Sequence, residues 1–205
     1  MSRNEPLQRC IILHLAQTKP QTINETAKGI SKDYKSSWIA FKKLEKKGLV
    51  KEVNKKYYRG NQFSYFWLTE IGILQALNED ADPKHLLNQT LEIYPQNRYL
   101  QFFIEATLIF GTVIVTELGE DILGDPEKVE TSLISCLSAN LMSLASEIQN
   151  PIVQKQIAKL RILLKKYPEL HRRLPDELEQ YAEQLRKIAI VLRQQKSGEQ
   201  MERAR

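Results

Sequence analysis

The apolar pattern of this chain changes period at Gly48. Before it, apolar residues recur at helical spacing. After it, residues 49–58 and 62–68 are rich in Val, Tyr, Phe and Trp, which is the pattern of strands. Arg59-Gly60-Asn61 separates the two runs, so they read as a β-hairpin with a short basic tip. Thr69 then caps a further helix over Glu70 to about Leu77. A switch from helical period to strand period and back restricts this part of the chain to helices flanking a hairpin.

Three helices precede the switch. Leu7, Cys10, Ile11, Leu13, His14 and Leu15 have helical spacing, and Lys19-Pro20 ends that run. Thr22 with Glu25 three residues on predicts a capping box and a short helix through Thr26, Ala27 and Ile30. Residues 31–34 read as a turn. A third helix follows over about 35–47, with Gly48 placed at its left-handed C′ position.

Beyond residues 78–83, a run of turn formers that is the best linker candidate, the chain reads as wholly helical. Residues 99–118 are densely apolar, long enough to raise a transmembrane reading. Glu105 within the run, Gln101 and Arg98 at one end, and the lack of a second span favour a buried core or dimer helix. Val129, Leu133, Cys136 or Leu137, Leu141, Leu144 and Ile148 form one stripe. Val153, Ile157, Leu160, Leu164 and Tyr167 form another. Pro175-Asp176 opens a last helix with Leu178, Tyr181, Leu185, Ile188 and Leu192 in the a/d spacing of bundle packing. The expected fold class is mainly α. Its domains are 1–80, a helical domain at 84–196, and a flexible tail at 197–205.

Charge is distributed unevenly. The net charge of the 205 residues is +5, yet residues 28–59 alone carry 11 basic side chains against Asp33, Glu45 and Glu52. A concentrated positive patch reads as an anion-binding surface, most often for nucleic acid; the competing reading is a solvated lysine face. Two cysteines form neither a disulfide framework nor a metal quartet, and the N-terminus lacks the layout of a secretory signal. A reducing, cytoplasmic setting is therefore expected.

The order of helix, helix, helix ending in Gly-Leu-Val, basic-tipped hairpin and Leu-Thr-x-x-Gly resembles the winged helix-turn-helix of MarR-like and PadR-like transcription regulators. The residues that carry it are Lys43-Leu44-Glu45-Lys46-Lys47-Gly48-Leu49-Val50 and Phe66-Trp67-Leu68-Thr69-Glu70-Ile71-Gly72. The resemblance covers about residues 7–78. It implies a three-helix-plus-hairpin fold that binds duplex DNA, with Phe66 and Leu68 facing the core and Tyr65 and Trp67 pointing the other way.

A helical wheel of the third helix puts Ser37, Ala40 and Phe41 on the side of Leu44. The opposite arc holds Lys35, Trp38, Ile39, Lys42, Lys43 and Lys46. This is the division a recognition helix needs: apolar residues inside, long cations outside. The lysines and Ser36 are expected mainly on phosphates. Trp38 and Ile39 are suited to thymine methyls. For Trp38 the favoured reading is packing against the first helix or a partner subunit, because tryptophan is usually well buried. Lys55, Lys56 and Arg59 lie near the hairpin tip, where a wing spanning about 51–67 reaches backbone or minor groove.

No P-loop, dinucleotide fingerprint, nucleophile elbow or zinc-protease motif is present, and His14, His85 and His171 lack metal-ligand spacing. His14 reads as a packed or capped histidine. Cys136 reads as a small buried residue, with redox sensing the alternative. No enzyme and no cofactor are expected. The leading expectation is a sequence-specific double-stranded DNA-binding regulator that dimerises through its C-terminal helices. The alternatives are a protein–protein adaptor and a membrane-tethered regulator.

Overall fold

The computed structural model describes residues 5–111, 138, 141–142, 147–168, 170, 172–176, 178–180, 182–187 and 190. Among these the chain is mainly helical, with one two-stranded antiparallel hairpin. It divides into two compact units, Met1–Leu133 and Ile134–Arg205. Residues 78–83 lie inside the first unit. They join two of its helices rather than two units: Ala81 is buried, Asp80 has a positive φ of 64°, and Asp82 caps the next helix.

The first unit begins with α1 (Glu5–Gln17), α2 (Ile23–Gly29) and α3 (Tyr34–Lys46). The capping box of α2 is present: the Thr22 hydroxyl accepts from Glu25 N–H, and the Glu25 carboxylate accepts from Thr22 N–H. Asp33, inside the expected turn, caps α3 one residue earlier than expected. Gly48 (φ +69°) ends α3 in a Schellman motif. Its N–H donates to Glu45 O and that of Leu49 to Leu44 O, while Leu44 and Leu49 are both buried.

The hairpin pairs β1 (Val50–Tyr58) with β2 (Asn61–Leu68). Arg59 and Gly60, with φ of 50° and 78°, form the turn, as a two-residue type I′ connection requires. Asn61, expected at the tip, pairs instead with Tyr58 at the first rung. A β-bulge between Glu52 and Asn54 interrupts the register. Gln21 adds a bridge to Phe66 through two backbone hydrogen bonds, which covers part of the β2 edge.

The base of the hairpin is covered on both faces, which corrects the expectation that Trp67 points away from the core. Phe66 packs edge-on against Phe41 of α3, with centroids 5.6 Å apart. Trp67, of opposite parity, is fully buried; its indole N–H donates to Leu15 O at 2.8 Å, and its ring lies 6.0 Å from Tyr94. Tyr94 in turn donates its hydroxyl to Leu68 O at 2.7 Å. Burial pushes the Tyr94 phenol well above its ordinary value, and Glu70 adds to the shift.

Three further helices complete the described part of this unit: α4 (Glu70–Asn78), α5 (Pro83–Ile93) and α6 (Arg98–Phe110). α1 is the hub, packing against α2, α3, α4, α5 and β2. The Gln101 side chain donates to Tyr94 O and Pro95 O and so holds the α5–α6 turn. The apolar run expected at 99–118 is a helix that ends at Phe110, with Gly111 (φ +79°) as its C-cap. Residues 112–118 lie outside the described residues. Among the described residues no helix is long and apolar enough to cross a membrane.

In the second unit, α7 (Pro151–Lys166) is capped by Asn150. Val153, Leu160, Leu163, Tyr167, Leu170 and Leu174 are buried, in heptad-like spacing. Leu163 occupies the place expected for Leu164, and Ile157 is 36% exposed: the buried stripe steps +7, +3, +4, +3 and +4 from Val153, not +4, +3, +4 and +3. Residues 172–176 are already helical, so Pro175 does not open the last helix. Most of the stripe at 129–148, Cys136 included, and the tail at 197–205 lie outside the described residues.

The joint between the hairpin and α4 has no room for a side chain at position 72. A Cβ there would overlap the carbonyl oxygen of Leu49. Gly72→Ala is therefore expected to cost about 1–3 kcal/mol of stability in urea unfolding, as overpacking does. A midpoint equal to that of the wild type would contradict this geometry.

Candidate nucleic-acid interface

α3 divides cleanly between a buried and an exposed side. Ser37, Ala40, Phe41 and Leu44 are buried, whereas Lys35, Ser36, Trp38, Ile39, Lys42, Lys43 and Lys46 are all exposed. Trp38 is 44% exposed and Ile39 38% in the single chain. At the start of the helix the Asp33 carboxylate accepts from Ser36 N–H at 2.8 Å. That bond, reinforced by the Ser36 hydroxyl, holds the Asp33 carboxyl below its ordinary range.

The cations on this face are not equivalent. Lys42 Nζ lies 2.6 Å from a Glu45 oxygen, one helical turn away. Among the described residues, Lys35, Lys43 and Lys46 have no carboxylate within salt-bridge distance. Exposed i,i+3 pairs contribute little to stability, so the main effect of Glu45 is to lower the local positive potential.

The hairpin carries the second group of expected residues. Lys55, Lys56 and Arg59 are exposed. Lys55 lies 3.2 Å from Glu52, whose carboxyl is held below its ordinary value by the Ser64 hydroxyl first and then by Lys55 and Lys42. α3 and β1 pack against each other. Lys56 lies over the Tyr65 ring at 4.8 Å and Arg59 over the Tyr58 ring at 5.3 Å.

Sequence reasoning misses the aromatic residues beside these cations. Tyr57 is 74% exposed, Tyr58 62% and Phe63 41%. Strand formation accounts for their residue type, and alternation alone does not tell which rungs lie beyond the reach of the helices. The usable signal is distance from the strand base: all three lie within four residues of the turn.

A cleft of about 630 Å³ opens between α1, the end of α3 and α4. Arg9 pairs with Glu79 across it at 2.6 Å, Lys47 donates to Gln8 and Gln75 to Glu79, while Lys46 in its lining has no carboxylate partner among the described residues. His14 is half-buried and hydrogen-bonded to Gln21 at 2.9 Å, in accord with a packed histidine. Among the described residues no group of three His, Cys, Asp or Glu side chains is placed to hold a metal ion. What the face offers chemically is an array of exposed cations with exposed apolar and aromatic side chains among them.

No protein-family model, no curated protein and no solved structure matches this chain.

The α3 cap makes part of the stability pH-dependent. The Asp33 carboxyl is depressed in the folded state, so its contribution is present at neutral pH and is lost as pH falls through the folded value, below 3.8. Asp33→Asn caps without a charge. In urea melts taken from about pH 5 down to about pH 2, the variant is expected to lose less stability than the wild type. Equal losses would remove Asp33 as a source of acid sensitivity.

Proposed function

We propose that the chain is a winged helix-turn-helix transcription regulator that binds double-stranded DNA. In this reading α3 is the recognition helix in the major groove and the hairpin is the wing on the adjacent backbone or minor groove. The observation that carries it is the division of α3: four side chains lock it to the core, and the opposite side presents Lys35, Lys43 and Lys46 around exposed Trp38 and Ile39. Lysines there anchor phosphates and set register, while the two apolar residues suit the methyl groups of thymine.

The regulator is proposed to act as a homodimer through helices beyond the winged part. Leu108 of α6 is 42% exposed, and in the second unit Leu185 is 48% exposed. Apolar side chains of this size left in water favour burial against a second copy. Two-fold symmetry then places two recognition helices about one helical turn apart on a pseudo-palindromic site.

A salt titration of duplex binding tests the reading. Replacing Lys35, Lys43 and Lys46 together with Ala is expected to weaken binding to all duplexes. The slope of log affinity against log salt should fall by about 0.9 for each phosphate that is no longer neutralised. Glu45→Gln releases Lys42 and is expected to move the other way, tightening binding and steepening the slope by up to about 0.9. Unchanged affinity in a folded triple variant would remove α3 as the binding element.

A further inference from the structure

The outer half of the hairpin carries aromatic side chains that the duplex reading above does not use. Cross-strand partners share a face, so Lys56 with Phe63, Tyr58 with Asn61, and Asn54 with Tyr65 stand on one side of the ribbon. That side carries three aromatic rings in succession along the ribbon: Tyr58, Phe63 and Tyr65. Two cations lie over rings of this row, Arg59 on Tyr58 and Lys56 on Tyr65. On β2, Phe66 packs toward α3 and has opposite parity to Phe63 and Tyr65. The row therefore lies on the side of the ribbon turned away from the recognition helix.

Two of these rings stand exposed to water, and Tyr65 is half-buried. Tyr58 is 62% exposed and Phe63 41%. A B-form duplex offers them little, because its base faces are covered by their neighbours in the stack and its minor groove is only about 6 Å wide. Unpaired bases present a π-face, and a row of rings interleaved with cations fits a strand of such bases on a phosphate backbone. We propose that this face is a stacking platform for the unpaired bases of single-stranded DNA. DNA is chosen over RNA because α3 of the same unit is proposed above to enter a B-form major groove, which A-form RNA does not offer. The proposal rests on the DNA reading above and shares Lys56 and Arg59 with it; the rings of Tyr58, Phe63 and Tyr65 are what it adds.

The test is fluorescence anisotropy of the full chain with a labelled oligothymidylate and, separately, a blunt mixed-sequence duplex. Phe63→Val keeps a good strand former and removes the ring; Phe63→Tyr keeps the ring. Thermal melts by circular dichroism establish that both are folded. Phe63→Val is expected to weaken oligothymidylate binding by about five- to 150-fold, as removal of one stacking ring does. Phe63→Tyr should stay within about twofold of the wild type, and duplex affinity should change by less than about twofold in both.

Three results would overturn the platform: no single-strand binding by the wild type, an unchanged affinity in folded Phe63→Val, or the same weakening on duplex as on single strand. Tighter, ring-dependent binding of the matching oligouridylate would overturn the choice of DNA. Ring-dependent binding of oligothymidylate by a chain that ignores duplexes would sustain the platform and reject the duplex regulator. Duplex binding without ring-dependent single-strand binding would do the reverse.

Discussion

Thr69 is the joint on which the arrangement of this unit depends. Its backbone N–H donates to Leu49 O at 3.0 Å and its hydroxyl to Gly48 O at 2.5 Å, while the same hydroxyl accepts from Gly72 N–H. One residue thereby ties the end of α3 and the start of β1 to the end of β2 and the start of α4. The joint needs glycine on both sides of it: Gly48 for a left-handed turn, and Gly72 because the Leu49 carbonyl occupies the space of a Cβ. The cations proposed to meet DNA sit on α3 and on the hairpin, so their relative placement passes through this junction.

The hairpin emerging from the joint is graded along its length. At the base, Phe66, Trp67 and Leu68 are buried on both faces by α3, α1 and Tyr94. Toward the tip the helices no longer reach, and Tyr57, Tyr58 and Phe63 stand in water. An anchored base lets the tip stand exposed, since an isolated two-stranded hairpin is marginal by itself. The electrostatics are graded too: Glu45 and Glu52 offset Lys42 and Lys55 where helix and strand meet, while Lys43, Lys46, Lys56 and Arg59 have no acid partner among the described residues.

What can be read from the sequence is local. The Thr22–Glu25 box, the Gly48 stop and the wheel of α3 depend on groups within one or two turns, and the structure has each of them. Trp67 cannot be placed this way. Alternation says that Phe66 and Trp67 oppose each other, but the groups that cover Trp67 come from Leu15 and Tyr94, far away in the chain. Residues 78–83 mislead for a related reason. Asn, Asp and Pro cap helices as readily as they make linkers, and the burial of Ala81 together with the Asp82 cap tells the two apart. The DNA-facing assignment of Lys42 needs one more local step, since Glu45 at i+3 is in plain view in the sequence.

The most direct measurement of the central claim is lysine acetylation of the full chain with and without a mixed-sequence duplex, read residue by residue by mass spectrometry. Duplex is predicted to protect Lys35, Lys43 and Lys46 on α3 and, to a lesser degree, Lys55 and Lys56 on the hairpin. Lys84 of α5 and Lys165 of α7, both exposed, should react as before. Protection spread evenly over all of these lysines, or concentrated at Lys84 and Lys165, would contradict the placement of α3 at the centre of the interface.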